Sequence, residues 1–115
     1  MDEQKFEPKI TPEQEREQLS GQITRTPEKA REIMGKHFEK KPSDIYLPEY
    51  DISPGQFSEI EKKIVDIGYE EKDRIMKELF SIAETKGVLN AFNVARKLTP
   101  SLLDDFHDQL VAGWH

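Results

Sequence analysis

The sequence predicts an all-α protein, a compact bundle of about four short helices in residues 53–115 preceded by a partly disordered, partly helical N-terminal arm, residues 1–52. The first observation is the distribution of apolar residues, with 26 in residues 53–115 and 14 in residues 1–52. The second is that the later apolar residues recur at the spacing of an amphipathic helix. Because a segment that buries little apolar surface cannot offset the entropy of ordering, we expect the core domain in residues 53–115.

Helix starts are marked by Ser/Thr-Pro pairs. A hydroxyl side chain can accept hydrogen bonds from the free backbone N–H groups of a first turn, and proline suits the first helical position. Gln14 and Gln56 each follow such a hydroxyl residue in the capping-box position, which strengthens two of the predicted starts. The four pairs are Thr11-Pro12, Thr26-Pro27, Ser53-Pro54 and Thr99-Pro100.

The acidic N-terminal arm is expected to contain one or two short helices and an extended segment. Residues 12–20 are almost wholly polar, with four charged side chains and Leu19 as their one large apolar residue, so a helix there is marginal in isolation. Residues 27–40 carry a narrow apolar stripe at helical spacing. Residues 41–51 contain two prolines and no helical period, which predicts extended backbone.

Four helices are predicted in the core domain. Glycine ends the first two, and the third is apolar around much of its circumference, as expected of a central buried helix. The connections between them are very short, so neighbouring helices must pack against one another. The predicted spans are residues 53–67, 69–86 and 88–98, and a last helix that begins at Thr99-Pro100.

Composition excludes several classes of protein. Cysteine is absent, so the chain has neither a disulfide framework nor a thiolate zinc site. No stretch has the length of a membrane span or the pattern of a secretory signal, and we expect a cytoplasmic protein without a cofactor. The net charge of −6 is shared evenly, with 9 basic against 12 acidic residues in 1–52 and 8 against 11 in 53–115. Without a basic patch, nucleic acid is a disfavoured partner, and we expect another protein or self-association.

Catalytic motifs are absent from the sequence. It contains no cysteine nucleophile, no GxSxG and no phosphate-binding glycine loop, so we expect a non-enzymatic protein. A weak nucleic-acid-binding helical domain is a third alternative, because the short helices around Gly87 and Thr99 resemble a helix-turn-helix. The second of these helices, PSLLDDFHDQL, offers three carboxylates and no Arg or Lys, and it would repel phosphate.

A metal-binding protein or metal-dependent enzyme is the alternative function. Asp104, His107 and Asp108 have the spacing of one helical face, where carboxylate and imidazole groups could share a divalent metal. Further ligands would have to come from another helix, with Glu78 or Glu84 as candidates. His107 also lies at the edge of the apolar face, so a boundary histidine paired with a neighbouring acid explains the cluster without a metal.

Aromatic and large aliphatic side chains are the predicted partner-binding anchors, because such residues dominate protein interfaces. The segment IYLPEYDI, residues 45–52, is apolar, acidic and proline-containing, which suits an extended ligand of a groove. The intramolecular alternative is that it packs across its own bundle. We therefore predict a helical protein–protein interaction module, or adaptor. Its predicted partner-binding residues are Tyr46, Tyr50, Phe92, Phe106, Leu110 and Trp114.

Residues 87–111, GVLNAFNVARKLTPSLLDDFHDQLV, form a glycine-started helix followed by a proline-started helix that ends in an acidic-Phe-His run. This pattern resembles a helical segment of uncharacterised proteins from candidate-phylum bacteria, where it occurs near type IV secretion or conjugation ATPases. The resemblance starts near LPEYDISPG, covers the C-terminal half and carries no catalytic motif. It implies a helical accessory or docking region of a bacterial secretion-like or conjugation-like apparatus.

Overall fold

The computed structural model describes residues 9–22 and 27–113 of the chain. Within them, helices account for nearly all regular structure, and the all-α prediction is confirmed. No helix in this part of the chain is long and apolar enough to cross a membrane. The helices are α1 (Pro12–Gln22), α2 (Pro27–His37), α3 (Pro42–Ile45), α4 (Pro54–Ile67), α5 (Lys72–Lys86), α6 (Val88–Leu98) and α7 (Leu103–Gly113), with 3₁₀ turns at Pro48–Tyr50 and Pro100–Leu102.

Both predicted capping boxes are present. The Gln56 backbone N–H donates to Ser53 Oγ at 3.1 Å, and the Ser53 N–H donates to Gln56 Oε1 at 2.9 Å. The same pair of hydrogen bonds joins Thr11 and Gln14 at the start of α1. Each box satisfies backbone donors that the first turn leaves free, so α1 and α4 begin where the sequence predicts.

The predicted cap at Thr99 is wrong. Its hydroxyl donates back to the Ala95 carbonyl at 3.3 Å, and a 3₁₀ turn separates it from α7. The predicted extended segment is also corrected, because Pro42 and Pro48 each stand at the first position of a short helical turn. Proline fixes the backbone angle that a first turn needs, so two prolines there start turns as well as interrupt them. Thr26 lies outside the described residues.

One hydrophobic core contains residues from both predicted regions. Leu19, Ala30 and Met34 are buried in the same cluster as the apolar side chains of α4 to α7. α1 contacts α5 and α6, and α2 packs along α7. The prediction that the core is confined to residues 53–115 is therefore corrected: α1 contributes Leu19, and α2 contributes Ala30 and Met34. Short helices such as these are stabilised by tertiary packing.

The start of α1 is held against the end of α3 by backbone contacts. The Ile10 N–H donates to the Ile45 carbonyl at 2.8 Å, and the Leu47 N–H donates to the Ile10 carbonyl at 3.2 Å. These bonds form an isolated parallel bridge between Ile10 and Tyr46. The bridge holds the backbone at Tyr46 in place, and the Tyr46 side chain is buried.

Candidate functional site

The turn between α5 and α6 consists of a single residue, Gly87. Its φ of 102° lies in the left-handed region that side chains other than hydrogen rarely adopt. A Cβ at this position would overlap the Tyr46 ring. Because Gly87 is also the residue before α6, no neighbouring side chain caps this helix, and its first backbone N–H groups need acceptors from elsewhere.

Glu15 supplies one of these acceptors from α1. Its Oε1 accepts the Val88 backbone N–H at 2.9 Å, and its Oε2 lies 2.5 Å from His37 Nε2. The Glu15 carboxylate also acts electrostatically on the Tyr46 hydroxyl. Glu15 is 0% exposed. A buried carboxylate is tolerated when its oxygens are hydrogen-bonded, and here one partner from α2 and one from α6 engage the two oxygens.

Tyr46 supplies the second acceptor. Its Oη accepts the Leu89 backbone N–H at 2.9 Å while the ring lies buried against Gly87. Burial, and then the Glu15 carboxylate, raise the pKa of Tyr46 far above its ordinary value. The phenol therefore stays protonated.

Asn90 completes the arrangement from within α6. Its Nδ2 donates to the Lys86 carbonyl at 2.8 Å, at the end of α5, and to the Tyr50 carbonyl at 3.0 Å. The amide thus satisfies a carbonyl at a helix end and fixes the 3₁₀ turn that follows Tyr46. We call the four buried polar residues around Gly87 the junction cluster, namely Glu15, His37, Tyr46 and Asn90.

Carboxylate, imidazole and phenol groups also occur together in acid–base catalysis, and a reaction centre made of the junction cluster would need a path for a substrate. Glu15 has its two oxygens directed at Val88 and His37, and it is enclosed by the core. A substrate would have to displace the cap of α6 to reach it. The negative charge at the start of α6 is favourable for the helix dipole. The geometry therefore supports a structural role, in which the cluster joins α1 and α3 to α6.

A second cluster lies where α2 packs on α7. The Phe38 and Phe92 rings are stacked with centroids 3.9 Å apart, and the His107 ring meets Phe38 edge-on at 5.3 Å. Arg31 pairs with Asp108 at 2.7 Å on the exposed side. Burial, and then the Arg31 charge, lower the pKa of His107. Its Nε2 is buried and has no hydrogen-bond partner.

The predicted partner-binding residues are divided by the structure. Tyr46, Phe106 and Leu110 are buried in the core, so the prediction that they are exposed anchors is corrected. Apolar residues at these helix positions complete the bundle instead, and the intramolecular alternative for the Tyr46 segment is the one observed. Phe92 and Tyr50 are half-buried, and Trp114 lies outside the described residues.

The predicted metal ligands do not converge. Asp104 and Asp108 are exposed, and one Asp108 oxygen is engaged by Arg31. Glu78 pairs with Lys63 at 3.3 Å on another face. Across residues 9–22 and 27–113, no three His, Asp or Glu side chains are grouped as a metal site would require. His107 lies half-buried against Phe38, at the boundary of the core, but its buried Nε2 has no acidic partner, so only the position expected of a boundary histidine is observed.

Sequence reasoning missed the junction cluster. Glu15 lies four residues before Leu19 and on the same helical face, but a glutamate in a charged segment is typical of a solvated surface. His37 belongs to the apolar stripe predicted for residues 27–40, and its position there indicates no partner for the imidazole. The available signal was Gly87, because a helix that begins after glycine lacks a local cap and requires one from a distant residue.

α4 presents the largest exposed apolar side chains among the described residues. Val65 is 54% exposed and Tyr69, just beyond the helix end, is 51% exposed. Ile64 is the only buried residue of this 14-residue helix. Beside α4, a shallow groove between α4 and α5 has Ile60 and Ile82 on its walls. We call the half-buried and exposed apolar residues the α4 face, namely Phe57, Ile60, Val65, Ile67 and Tyr69.

Comparison with known proteins identified no relative. No protein-family model matches the chain. No curated protein and no solved structure matches it either. The structure therefore defines the class of protein, a small all-α bundle.

Proposed function

We propose that this chain is a non-enzymatic protein-interaction module that binds an amphipathic helix of another protein along the α4 face. The observation that carries the proposal is the mismatch between how well α4 is formed and how little of it is buried. Its capping box is complete, yet one residue of 14 is buried. Val65 and Tyr69 are exposed on it and just beyond its end, and exposed large apolar side chains on a well-formed element are typical of interaction sites.

The sequence of α4 supports the same interpretation. One face of the helix is apolar, which is typical of a face that is buried. Its residues recur at spacings of three and four, namely Phe57, Ile60, Ile64 and Ile67. Ile64 is the fully buried residue of that face, while Phe57, Ile60 and Ile67 pack against the core and stay half-buried. Burying the remaining apolar surface against a partner would contribute about 25 cal/mol for each Å² removed from water.

The groove between α4 and α5 suggests the chemistry of the partner. Its aliphatic residues, Ile52, Ile60 and Ile82, are accompanied by Glu59 and by the Lys63–Glu78 ion pair. A groove of this kind is filled by helices with apolar residues at positions i, i+4 and i+7. Because the rim carries both signs of charge, we expect acidic and basic residues on either side of the partner's apolar stripe.

The resemblance of the C-terminal half to secretion-associated segments selects the first partners to test. Under this proposal, the chain is an accessory subunit, and a component of a secretion-like or conjugation-like apparatus supplies the helix. The junction cluster supports the non-enzymatic part of the proposal, because its acid–base groups are enclosed and already hydrogen-bonded.

Site-specific photo-crosslinking tests the proposal. A photoreactive phenylalanine analogue replaces Tyr69, and Glu39, exposed after α2, serves as the control position. We expect position 69 to crosslink in cells to a helical segment with the apolar spacing given above, and position 39 not to do so. Val65→Asp should abolish the crosslink and Asp66→Asn, at the next exposed position, should retain it. Crosslinking to a second copy of the chain, or equal crosslinking from both positions, would contradict the proposal.

A further inference from the structure

The last turn of α6 carries two exposed cations, Arg96 and Lys97, that contact neighbouring side chains. The Arg96 guanidinium carbon lies 6.0 Å from the centre of the Phe92 ring, and its Nη2 donates to Asn93 Oδ1 at 2.9 Å. The Lys97 Nζ lies 5.5 Å from the centre of the Phe57 ring in α4. Both distances are those of a cation–π contact. We call these residues the α6 cation surface, namely Phe57, Phe92, Asn93, Arg96 and Lys97.

Neither cation has a carboxylate partner within the described chain. In residues 9–22 and 27–113, no Asp or Glu oxygen lies at ion-pair distance from Arg96 or Lys97. α6 itself contains no Asp or Glu, whereas each of the other described α-helices contains at least one. A guanidinium has more N–H donors than its single amide contact uses, and an ammonium over a ring keeps its N–H donors. The surface therefore offers charged donors to an acceptor from another molecule.

The helix dipole accounts for the sign of the two charges but not for the way the side chains are held. Cations in a last turn compensate the partial negative charge of the free carbonyl groups, and a side chain extended into water does this equally well. Contact with a ring restricts a long side chain. A side chain that is already restricted loses less entropy when it binds a partner. The α6 cation surface is therefore pre-organised for ionic contacts.

We propose that the α6 cation surface binds a short acidic segment of a partner protein, with one carboxylate on Arg96 and a second on Lys97. A carboxylate suits this surface because a guanidinium presents parallel N–H groups to its two oxygens. The net charge of −6 disfavours a nucleic acid, whose binding requires contacts to many phosphates. A short acidic segment meets mainly the local positive charge, because more distant exposed charges are screened beyond about 10 Å.

This surface borders the α4 face at Phe57 but does not depend on it. The helix proposed for the α4 face is detected at Tyr69, beyond the other end of α4. The acidic segment is detected at Arg96 and Lys97. Failure of either proposal therefore leaves the other standing.

An NMR titration of the isotope-labelled full chain with a glutamate-rich peptide tests the binding. We expect the signals of Asn93, Arg96 and Lys97 to shift, and those of Ile75 and Leu79, buried in α5, to stay unchanged. A peptide with glutamine in place of every glutamate is the control and should cause no shift. The affinity should fall as salt is added, because exposed charges are screened. Shifts that lie elsewhere in the molecule, or equal shifts with the two peptides, would overturn the proposal.

A pair of charge-removing variants tests the two cations. Arg96→Gln combined with Lys97→Gln should weaken binding of the glutamate-rich peptide about tenfold or more, because two charge-assisted contacts are lost. The matched control is Arg74→Gln combined with Lys77→Gln, which removes the same charge from exposed positions of α5 and should bind as the wild type does. Equal weakening in both would assign the binding to overall charge and overturn the proposal.

A single-stranded oligonucleotide is the competing probe. We expect the wild-type chain to bind it more weakly than the glutamate-rich peptide, and tighter binding of the oligonucleotide would overturn the proposal. If the variant at Arg96 and Lys97 does not fold, the NMR titration of the wild type decides without it.

Discussion

The carboxylate of Glu15 accepts the backbone N–H of Val88 at 2.9 Å, across 73 positions of sequence. A residue of the first helix thereby caps the sixth. The acceptor that α6 lacks locally, because Gly87 precedes it, is supplied by tertiary structure. This contact is why α1 belongs to the same folding unit as the helices at the other end of the chain.

Removing the Tyr46 hydroxyl should destabilise the protein. Tyr46→Phe leaves the Leu89 N–H without its acceptor. An unsatisfied buried group costs about 1–3 kcal/mol, so urea unfolding should show a lower free energy of unfolding by that amount. Tyr50→Phe is the matched control, because Tyr50 uses its backbone carbonyl in the contact with Asn90. Equal losses in the two variants would contradict the role given to the Tyr46 hydroxyl.

Gly87 should tolerate substitution less well than Gly68. Both residues have positive φ, 102° and 95°. A Cβ at Gly87 would overlap the Tyr46 ring, whereas a Cβ at Gly68 would meet only the Glu70 side chain at 3.5 Å. Each alanine carries backbone strain of about 1–3 kcal/mol, and Gly87→Ala adds the displacement of a buried ring. The melting temperature of Gly87→Ala should be clearly lower than that of Gly68→Ala. Similar melting temperatures would show that the Tyr46 ring can move without cost.

Much of the fold could be predicted because its signals are local. The capping boxes at Thr11 and Ser53 depend on residues three apart, and the apolar stripes depend on one helical turn. The local predictions that are wrong concern residues with two competing local interactions. Thr99 has the sequence of a cap, but its hydroxyl bonds to the preceding turn, a competing interaction open to any Ser or Thr at a helix end.

The junction cluster could not be predicted because its partners are distant in sequence. Glu15 meets His37 across 22 positions and Val88 across 73. Periodicity assigns a residue to a face, but it does not say whether a carboxylate there meets water or a backbone donor. The partner-binding prediction failed at Tyr46 and Phe106 for a related reason, since a large aromatic side chain is equally suited to a core and to an interface.

The Ser53 cap should contribute measurably to stability. Ser53→Ala removes the acceptor of the Gln56 N–H and keeps only the reciprocal bond, from the backbone N–H of residue 53 to Gln56 Oε1. Loss of an N-cap costs about 1 kcal/mol, which guanidinium unfolding can resolve. Ser58→Ala, at an exposed position inside α4, should be neutral or slightly stabilising because alanine favours helices. If both variants unfold at the same denaturant concentration, α4 does not depend on its cap.

Acid should destabilise the protein through His107. The fold lowers the pKa of this imidazole from its ordinary 6.5, first through burial and then through Arg31, while Asp108 and Asp104 oppose the shift. The unfolded chain therefore binds the proton more readily, so this contribution to stability is intact above about pH 6.5 and is lost as pH falls towards the folded pKa. His107→Leu also removes the unpartnered Nε2 from the contact with Phe38. We expect the variant to match or exceed the wild type at neutral pH, and to lose less free energy of unfolding between about pH 7 and pH 5. Asp105→Asn, at an exposed position of α7, is the control, and its free energy of unfolding should change with pH as that of the wild type does. If the wild type and His107→Leu lose the same free energy of unfolding between these pH values, the acid sensitivity belongs to another group.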